Sequence, residues 1–149
     1  YFEKICTTHS YQDRIDTAKT VKNAGLELCC GGIIGMGESV EQRVELGFAL
    51  ASLKPDEVPI NMLIGREGTP LYGQNLITEK EILQTVATFR FLMPKTILKI
   101  AGGREVHLKR EDKKILQSGA NGIITGGYLT TKGNKPSDDF KMLKEIGVR

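Results

Sequence analysis

Residues 26–38 read LELCCGGIIGMGE, a short apolar run followed by a glycine-rich turn. An apolar run of this length with glycines behind it is typical of a buried strand and its turn. We therefore predict a strand at 26–30, with Gly31 and Gly32 as the start of its turn. Four glycines lie between residues 31 and 37, and they would either let the backbone approach a ligand closely or form a plain tight turn. No Lys-Ser or Lys-Thr pair follows them, so the run is not a phosphate-binding P-loop.

Helix patterns flank this strand on both sides. Ser10 is a helix cap ahead of apolar residues at helical spacing, and Gly25 supplies a stop, which predicts a helix over 10–24. Ser39 caps a second helix, and Pro55 lies just past its end. The strand is therefore enclosed in sequence by two amphipathic helices.

The same alternation continues to the end of the chain. Thr78 and Glu81 form the pattern of a capping box at the start of another helix, which Pro94 ends. The remaining predicted elements are strands at 58–64, 96–101 and 122–125, a helix at about 109–118 and a helix from Ser137 to Gly147. Strict alternation of buried strands and amphipathic helices predicts an α/β fold with a parallel sheet covered by helices.

Two architectures with a parallel sheet fit this order: a doubly wound open sheet and half of a (β/α)8 barrel. A whole barrel takes roughly 250 residues, so four strand–helix units in about 125 residues match half of one. We expect residues 1–149 to be the C-terminal half of a (β/α)8 TIM-type barrel, a helix followed by four βα units. A half-barrel leaves open strand edges, and the chain opens at Tyr1 rather than at a methionine, so we expect an N-terminal half to be missing.

The composition is that of an ordinary soluble globular protein. Charged residues make up 26% and the net charge is +3, with both signs mixed along the chain, so no basic footprint for nucleic acid stands out. No apolar run approaches the ~18 residues needed to cross a membrane. Three cysteines, two of them adjacent, are a poor disulfide framework and agree with a reducing cytosol. We expect a cytoplasmic protein that binds neither nucleic acid nor membrane.

Candidate site residues lie near or just after the carboxyl ends of the predicted strands, because ligands bind at those ends in both architectures. Cys29 is either a small buried hydrophobe or a reactive or metal-binding thiol, and Cys30 should point to the opposite face of the sheet. Asn61 is a polar amide within an apolar strand, and it needs a hydrogen bond to backbone or to a ligand. Arg104 follows two glycines and must pair with a carboxylate or face a polar cavity.

The other polar residues carry less information. Arg14 lies on the first predicted helix, where most arginines are solvated. His9 and His107 are the only histidines, and their separation argues against a zinc site. From these residues alone the chain is a half-barrel with a glycine-rich mouth, one well-placed thiol and one arginine at the mouth, and the reaction stays open.

Five segments taken together resemble the biotin synthase family, and they occur in the family's order over essentially all 149 residues. They are CTTHSYQDR (6–14), CCGGIIGMGE (29–38), VPINML (58–63) with GTPL (68–71), AGGREV (101–106), and NG through GGYLTT (121–131). Five motifs in the correct order are a far stronger signal than any one of them.

The resemblance implies a homodimeric (β/α)8 enzyme that uses S-adenosylmethionine (SAM) radical chemistry and holds two iron–sulfur clusters. A 4Fe-4S cluster binds SAM and generates a 5′-deoxyadenosyl radical. An auxiliary cluster, 2Fe-2S in the best-known members, donates sulfur to dethiobiotin to form biotin. The resemblance also implies an electron donor such as flavodoxin or ferredoxin, and iron–sulfur assembly machinery.

The resemblance also implies roles for single residues. Cys29 matches the family's last cysteine ligand to the auxiliary cluster, and Arg104 matches its unusual arginine ligand, which makes these two the expected catalytic and metal-binding residues. Arg14 matches a contact to SAM, and Ile33 resembles the position that packs against the adenine. Asn61 matches a polar contact to the SAM ribose and substrate region.

The chain departs from the family pattern in several places. The three-cysteine loop of the 4Fe-4S cluster and two more cysteines of the auxiliary cluster are absent; both are expected in the missing half, so the fragment alone should be inactive. Cys30 stands where a serine is expected and Cys6 is an additional thiol, which indicates two buried thiols or an auxiliary cluster of different nuclearity. Glu38 is assigned no catalytic role.

Two other functions stay open beside the resemblance. One is another radical SAM barrel enzyme, of the hydrogenase-maturation or pyrrolysine-pathway type. The other is a non-catalytic α/β module that uses the glycine-rich mouth to bind a small anion and needs no iron.

Overall fold

The computed structural model describes residues 1–75, 77–108, 112–127 and 132–147. Within these ranges, strands and helices alternate after two initial helices, except that two helices follow the third strand. In chain order the elements are α1 (Phe2–Ile5), α2 (Tyr11–Asn23), β1 (Gly32–Ile34), α3 (Val40–Leu53), β2 (Glu57–Met62), α4 (Glu79–Leu92), β3 (Ile97–Ile100), α5 (Arg104–His107), α6 (Asp112–Gln117), β4 (Gly122–Ile123) and α7 (Pro136–Glu145).

The four strands form one parallel sheet in the sequential order β1-β2-β3-β4. A doubly wound sheet reverses its strand order at a switch point, whereas a barrel places each strand beside the one that precedes it. The sequential order therefore decides between the two predicted architectures in favour of half of a (β/α)8 barrel, and the α/β prediction is confirmed.

The three longest described helices begin where the sequence predicts, because each has a capping box. The side chains of Ser10, Ser39 and Thr78 accept a hydrogen bond from the backbone N–H three residues on, and the side chain of that later residue accepts one from the cap's own N–H. Each box satisfies two donors that the first helical turn leaves without a partner. The caps therefore fix where α2, α3 and α4 start.

Replacing Ser39 by alanine should lower the free energy of unfolding by about 1 kcal/mol, because the Gln42 N–H loses its acceptor. Ser39→Asp keeps an acceptor at the cap and should retain most of the stability. Urea denaturation measures both variants. An unchanged midpoint for Ser39→Ala would show that this cap does not hold the start of α3.

The strand predicted at 26–30 has the wrong bounds. The structure has a single bridge there, between Cys29 and Glu57, and the regular strand begins at Gly32. The register of β1 on β2 sets Gly31 opposite Pro59, which has no N–H to donate, so the ladder is interrupted at that position. A side chain at Gly31 would also run into the Pro59 carbonyl oxygen. Gly32 therefore belongs to the strand, and the turn comes after Ile34.

One face of the sheet is buried under helices. Along β2 every second residue is buried and the intervening ones are half-buried, as a period of two requires. The core lies between this face and helices α3, α4 and α6. Its large, fully buried apolar side chains are Phe89, Ile34, Ile60, Ile82, Leu98, Ile100, Leu108, Ile115, Val58 and Val86.

None of the helices that the structure describes covers the opposite face of the sheet. We call it the open face, and it comprises Cys29, Ile33, Glu57, Pro59, Asn61, Ile97 and Lys99. Cys30 packs against the core on the helix side, whereas Cys29 is exposed, so the prediction that the two thiols point to opposite faces is confirmed. In a complete (β/α)8 barrel this face lines the interior.

The sequence did not predict the short helices α1 and α5. Gly103 has a φ of 94°, a left-handed conformation that glycine adopts without strain, and it turns the chain from β3 into α5. Residues 109–111 of the helix predicted at about 109–118, and residues 128–131 of the last resembling segment, lie outside the described residues. No helix in the described part of the chain is long and apolar enough to span a lipid bilayer.

Candidate functional site

The Cys29 thiol lies on the open face beside two charged side chains. Cys29 Sγ donates a hydrogen bond of 3.4 Å to Glu57 Oε1, and Lys99 Nζ forms an ion pair with the same oxygen. Partial burial and then the Glu57 carboxylate raise the pKa of the Cys29 thiol, while Lys99 acts in the opposite direction. The thiol therefore keeps its proton near neutral pH, and a metal that replaces this proton converts it into a thiolate ligand.

Glu57 and Lys99 stabilise each other's charged forms. The hydrogen bond from Lys99 lowers the pKa of the Glu57 carboxyl, and the bond to Glu57 raises the pKa of the Lys99 ammonium. Both side chains are about three-quarters buried, with exposures of 26% and 27%. The charge next to the thiol is therefore a fixed carboxylate–ammonium pair.

Ile33 and Asn61 lie side by side on the open face, because they are register partners in β1 and β2. Ile33 is 45% exposed, which leaves its side chain available for packing against a flat apolar group. Asn61 Oδ1 accepts a hydrogen bond of 2.9 Å from the Gly102 N–H. Asn61 thus makes the backbone bond that the sequence left open as one alternative, and this bond ties the turn after β3 to β2.

Arg104 lies beyond the carboxyl end of β3, at the first position of α5, and is 1% exposed. Its guanidinium donates to Asp139 Oδ2 at 2.5 Å and to the Ile124 carbonyl oxygen at 3.2 Å. Burial alone would raise the pKa of the Asp139 carboxyl, but hydrogen bonds from Arg104 and other donors outweigh it and lower that pKa. Arg104 therefore joins the carboxyl end of the sheet to α7.

Cys29 and Arg104 lie at opposite ends of the described strands. Cys29 pairs with Glu57, the first residue of β2, which in turn pairs with Ile97, the first residue of β3. Arg104 comes after the last residue of β3. The basic side chain beside the thiol is Lys99. The roles that the resemblance implies for Cys29 and Arg104 remain predictions.

Arg14 is an exposed residue on α2, and its predicted contact with SAM remains a prediction. Near it, Cys6 Sγ lies 3.5 Å from Thr8 Oγ1 and 3.5 Å from His9 Nδ1. Hydrogen bonds with Thr8 lower the pKa of the Cys6 thiol, with smaller effects from His9 and Arg14. Cys6 is thus half-exposed rather than buried.

Glu38 holds the glycine-rich turn at the carboxyl end of β1. Its carboxylate accepts hydrogen bonds from the Gly35 and Met36 N–H groups at 2.8 and 2.7 Å, and from the Arg43 guanidinium at 3.0 Å. Arg43 also donates to Glu81 at 2.8 Å, which links the turn to the start of α4. Glu38 therefore shapes the loop on which a ligand at the mouth would rest.

Replacing Glu38 by glutamine should lower the free energy of unfolding by about 2 kcal/mol, because an amide provides one acceptor oxygen where the carboxylate provides two. The buried Arg43 also loses an ionic partner. Thermal or urea denaturation gives the loss, and Glu41→Gln, at an exposed position in the first turn of α3, is the matched control. Equal stabilities for the two variants would contradict the role assigned to Glu38.

The sequence patterns did not predict the polar partners of the candidate residues. Lys99 interrupts the apolar run Ile97–Ala101, and this charged residue inside a strand was a signal that could have been used. Glu57 and Asp139 gave no local signal, because their partners are distant in the chain. Among residues 1–75, 77–108, 112–127 and 132–147, no group of three His, Cys, Asp or Glu side chains could hold a metal ion. Cys29 fits one ligand position of an iron–sulfur cluster, as a free thiol on an open face.

Comparison with known proteins agrees with this half-barrel. A family model described as the Biotin and Thiamin Synthesis associated domain matches residues 59–149. Biotin synthase of Nitrosopumilus maritimus (strain SCM1) is 51% identical over 148 residues, which are 99% of this chain and 45% of that protein. Biotin synthase of Clostridium botulinum (strain Loch Maree / Type A3) is 48% identical over 147 residues, 99% of this chain and 46% of that protein. The chain thus spans about half the length of the curated relatives it matches.

Among solved structures, methylornithine synthase superposes with a TM-score of 0.76 at 18% sequence identity. The match covers 96% of this chain and 46% of the other. At this identity the similarity shows a shared fold and carries no argument for a shared reaction.

Proposed function

Because the chain belongs to the biotin synthase family, we propose that it is the C-terminal half of an enzyme that inserts sulfur into dethiobiotin to form biotin. The observation that carries the proposal is identity near 50% to biotin synthases along 99% of the chain. A parallel half-barrel with one face open to the interior supports it physically. Residues from about 60 to 149 are the C-terminal segment of that enzyme.

The proposal assigns the rest of the barrel to an N-terminal half that carries the three-cysteine loop and two more cysteines for the auxiliary cluster. When bound, SAM with its 4Fe-4S cluster supplies the 5′-deoxyadenosyl radical, and the auxiliary 2Fe-2S cluster supplies the sulfur. The chain by itself holds neither complete ligand set and is inactive alone. An electron donor such as flavodoxin or ferredoxin, iron–sulfur assembly machinery, a homodimer and a cytoplasmic location belong to the same proposal.

The residues of the open face support separate positions for the auxiliary cluster and for SAM. Cys29 lies level with the first residues of β2 and β3, deep along the strands, and provides a thiolate to the auxiliary cluster. Ile33 and Asn61 lie further toward the carboxyl ends, where SAM packs on the Ile33 side chain and Asn61 contacts its ribose or the substrate. Arg14 extends this contact to SAM from α2.

The contacts of Arg104 support a role as cluster ligand less well than those of Cys29 do. As a cluster ligand, its guanidinium would have to leave Asp139 and the Ile124 carbonyl. Breaking a buried ion pair by withdrawing one partner is strongly unfavourable. The contacts favour a structural role for Arg104, so the proposed cluster site depends on Cys29.

The test uses the full-length protein, purified anaerobically and reconstituted with iron and sulfide. It is incubated with SAM, a reductant and dethiobiotin, and biotin and 5′-deoxyadenosine are measured by mass spectrometry. The proposal predicts biotin only when all components are present. Formation of 5′-deoxyadenosine without consumption of dethiobiotin would indicate a different radical SAM enzyme. A colourless protein without iron would indicate a binding module.

A further inference from the structure

We propose that Cys6 is a nucleophilic thiol that undergoes exchange with small disulfides, and that Thr8 and His9 activate it. This makes Cys6 a site of covalent modification that lies away from the open face of the sheet. The inference goes beyond the proposed function and does not depend on it, because Cys6 takes no part in that function.

Three polar side chains meet just before the start of α2. Cys6 Sγ lies 3.5 Å from Thr8 Oγ1 and 3.5 Å from His9 Nδ1, and these two partner atoms are 3.0 Å apart. Each atom is therefore within hydrogen-bond reach of the other two, which is the arrangement of a thiol beside a general base. Cys6 is half-exposed and residues 7–10 are exposed, so a small reagent can reach the sulfur.

Aromatic contacts hold the His9 ring beside the thiol. The Phe2 ring packs edge-on against His9, with the two centroids 5.6 Å apart, and it also contacts Tyr11 at 5.7 Å. The Cys6 N–H donates to the Phe2 carbonyl oxygen at 2.9 Å. The end of α1 and the start of α2 therefore fix the sulfur and the imidazole relative to each other, so the pair does not have to be assembled when a reagent arrives.

The surroundings of Cys6 distinguish it from the other two thiols. Hydrogen bonds from the Thr8 side chain and then the Thr8 backbone lower the pKa of the Cys6 thiol, with a smaller contribution from the His9 backbone N–H. Burial is the first cause that raises the pKa of the Cys29 and Cys30 thiols. Because the thiolate is the form that attacks a disulfide, Cys6 presents more of the reactive form near neutral pH than either of the others.

The exchange step needs no reactant beyond the disulfide itself. His9 Nδ1 accepts the thiol proton, and Cys6 Sγ attacks one sulfur of the disulfide. The sulfur–sulfur bond of the reagent breaks as the bond from Cys6 Sγ to the attacked sulfur forms. The departing thiolate takes up the proton from His9. Cys6 is thereby oxidised to a mixed disulfide, and the released half of the reagent is reduced to a thiol.

The test follows the reaction of the full-length protein with oxidised glutathione under anaerobic conditions, from about pH 5 to about pH 9. The reaction is stopped with acid, and mass spectrometry of the peptides measures glutathione on each cysteine. We expect the rate at Cys6 to reach half of its maximum below the ordinary thiol pKa of about 8.5. Thr8→Val and His9→Ala should each move this midpoint to higher pH and slow the reaction at pH 7 at least about threefold. Thr8→Ser keeps the hydroxyl and should retain the unmodified profile.

Thr7→Val is the matched control, because it removes the hydroxyl of an exposed neighbour outside the trio and should leave the profile unchanged. A midpoint at or above about 8.5 in the unmodified protein, or one that neither Thr8→Val nor His9→Ala moves, would contradict the inference. Cys6→Ser should lose the modification and form biotin at the unmodified rate, so this inference and the proposed function fail in different assays. Loss of biotin formation in Cys6→Ser would show that Cys6 belongs to the catalytic machinery and not to a separate site.

Discussion

Replacement of Cys29 by serine is expected to remove the auxiliary cluster from the full-length protein and to lower biotin formation at least about 100-fold. Loss of residues that only support a metal ligand already costs roughly 10–100-fold, and loss of the ligand itself should exceed that. Thiolate is the usual ligand of iron–sulfur clusters, and the alcohol of serine is a much weaker ligand for them. Iron and sulfide analysis with a biotin assay measures both effects.

Cys30→Ser is the matched control for this prediction. Cys30 is adjacent in sequence, yet its side chain packs against the core on the helix side. We expect this variant to keep its iron content and its activity, with a modest loss of stability. If instead Cys30→Ser removed the cluster and Cys29→Ser did not, the assignment of the two faces of the sheet would be wrong.

Replacement of Asp139 by asparagine is expected to lower the free energy of unfolding by about 3–5 kcal/mol, because the buried Arg104 guanidinium loses its charged partner. Asp138→Asn, at the exposed neighbouring position of α7, should change stability by less than about 0.5 kcal/mol. Urea denaturation measures both. The double variant Arg104→Met/Asp139→Leu should recover much of the loss, since two apolar side chains leave no unpaired charge.

The same pair predicts a dependence of stability on pH. The folded-state pKa of Asp139 is lowered, so its contribution is fully present above the unfolded pKa of about 3.9. The contribution is lost as the pH falls through the folded-state value. Between neutral pH and pH 5 this residue should therefore add no slope, and Asp139→Asn should flatten the acid limb of the stability curve. An acid limb identical in both proteins would contradict the pairing.

Local sequence signals predicted the three longest helices well and the first strand poorly. Ser10, Ser39 and Thr78 act within one helical turn, so their effect is readable from residues three positions apart. The start of β1 depends instead on Pro59, which lies on another strand and interrupts the ladder opposite Gly31. No pattern within residues 26–30 carries that information.

The features of the candidate site divide in the same way, into those that local patterns predict and those that depend on distant residues. That Cys29 and Cys30 point to opposite faces follows from the period of a strand alone. The partners of Arg104 and Lys99 do not, because Asp139 is 35 positions from Arg104 and Glu57 lies on a neighbouring strand. An arginine after a strand can either bind a ligand or pair with a buried carboxylate. Only the packing of α7 distinguishes these two roles.

Anomalous diffraction at the iron edge, from crystals of the full-length protein grown anaerobically, tests the central claim most directly. We predict two separate iron peaks. The iron at one of them is bonded to Cys29 Sγ on the open face of the sheet, with the Lys99 ammonium beside it. Iron located only at sites away from that sulfur, with the Cys29 thiol still hydrogen-bonded to Glu57, would contradict the assignment.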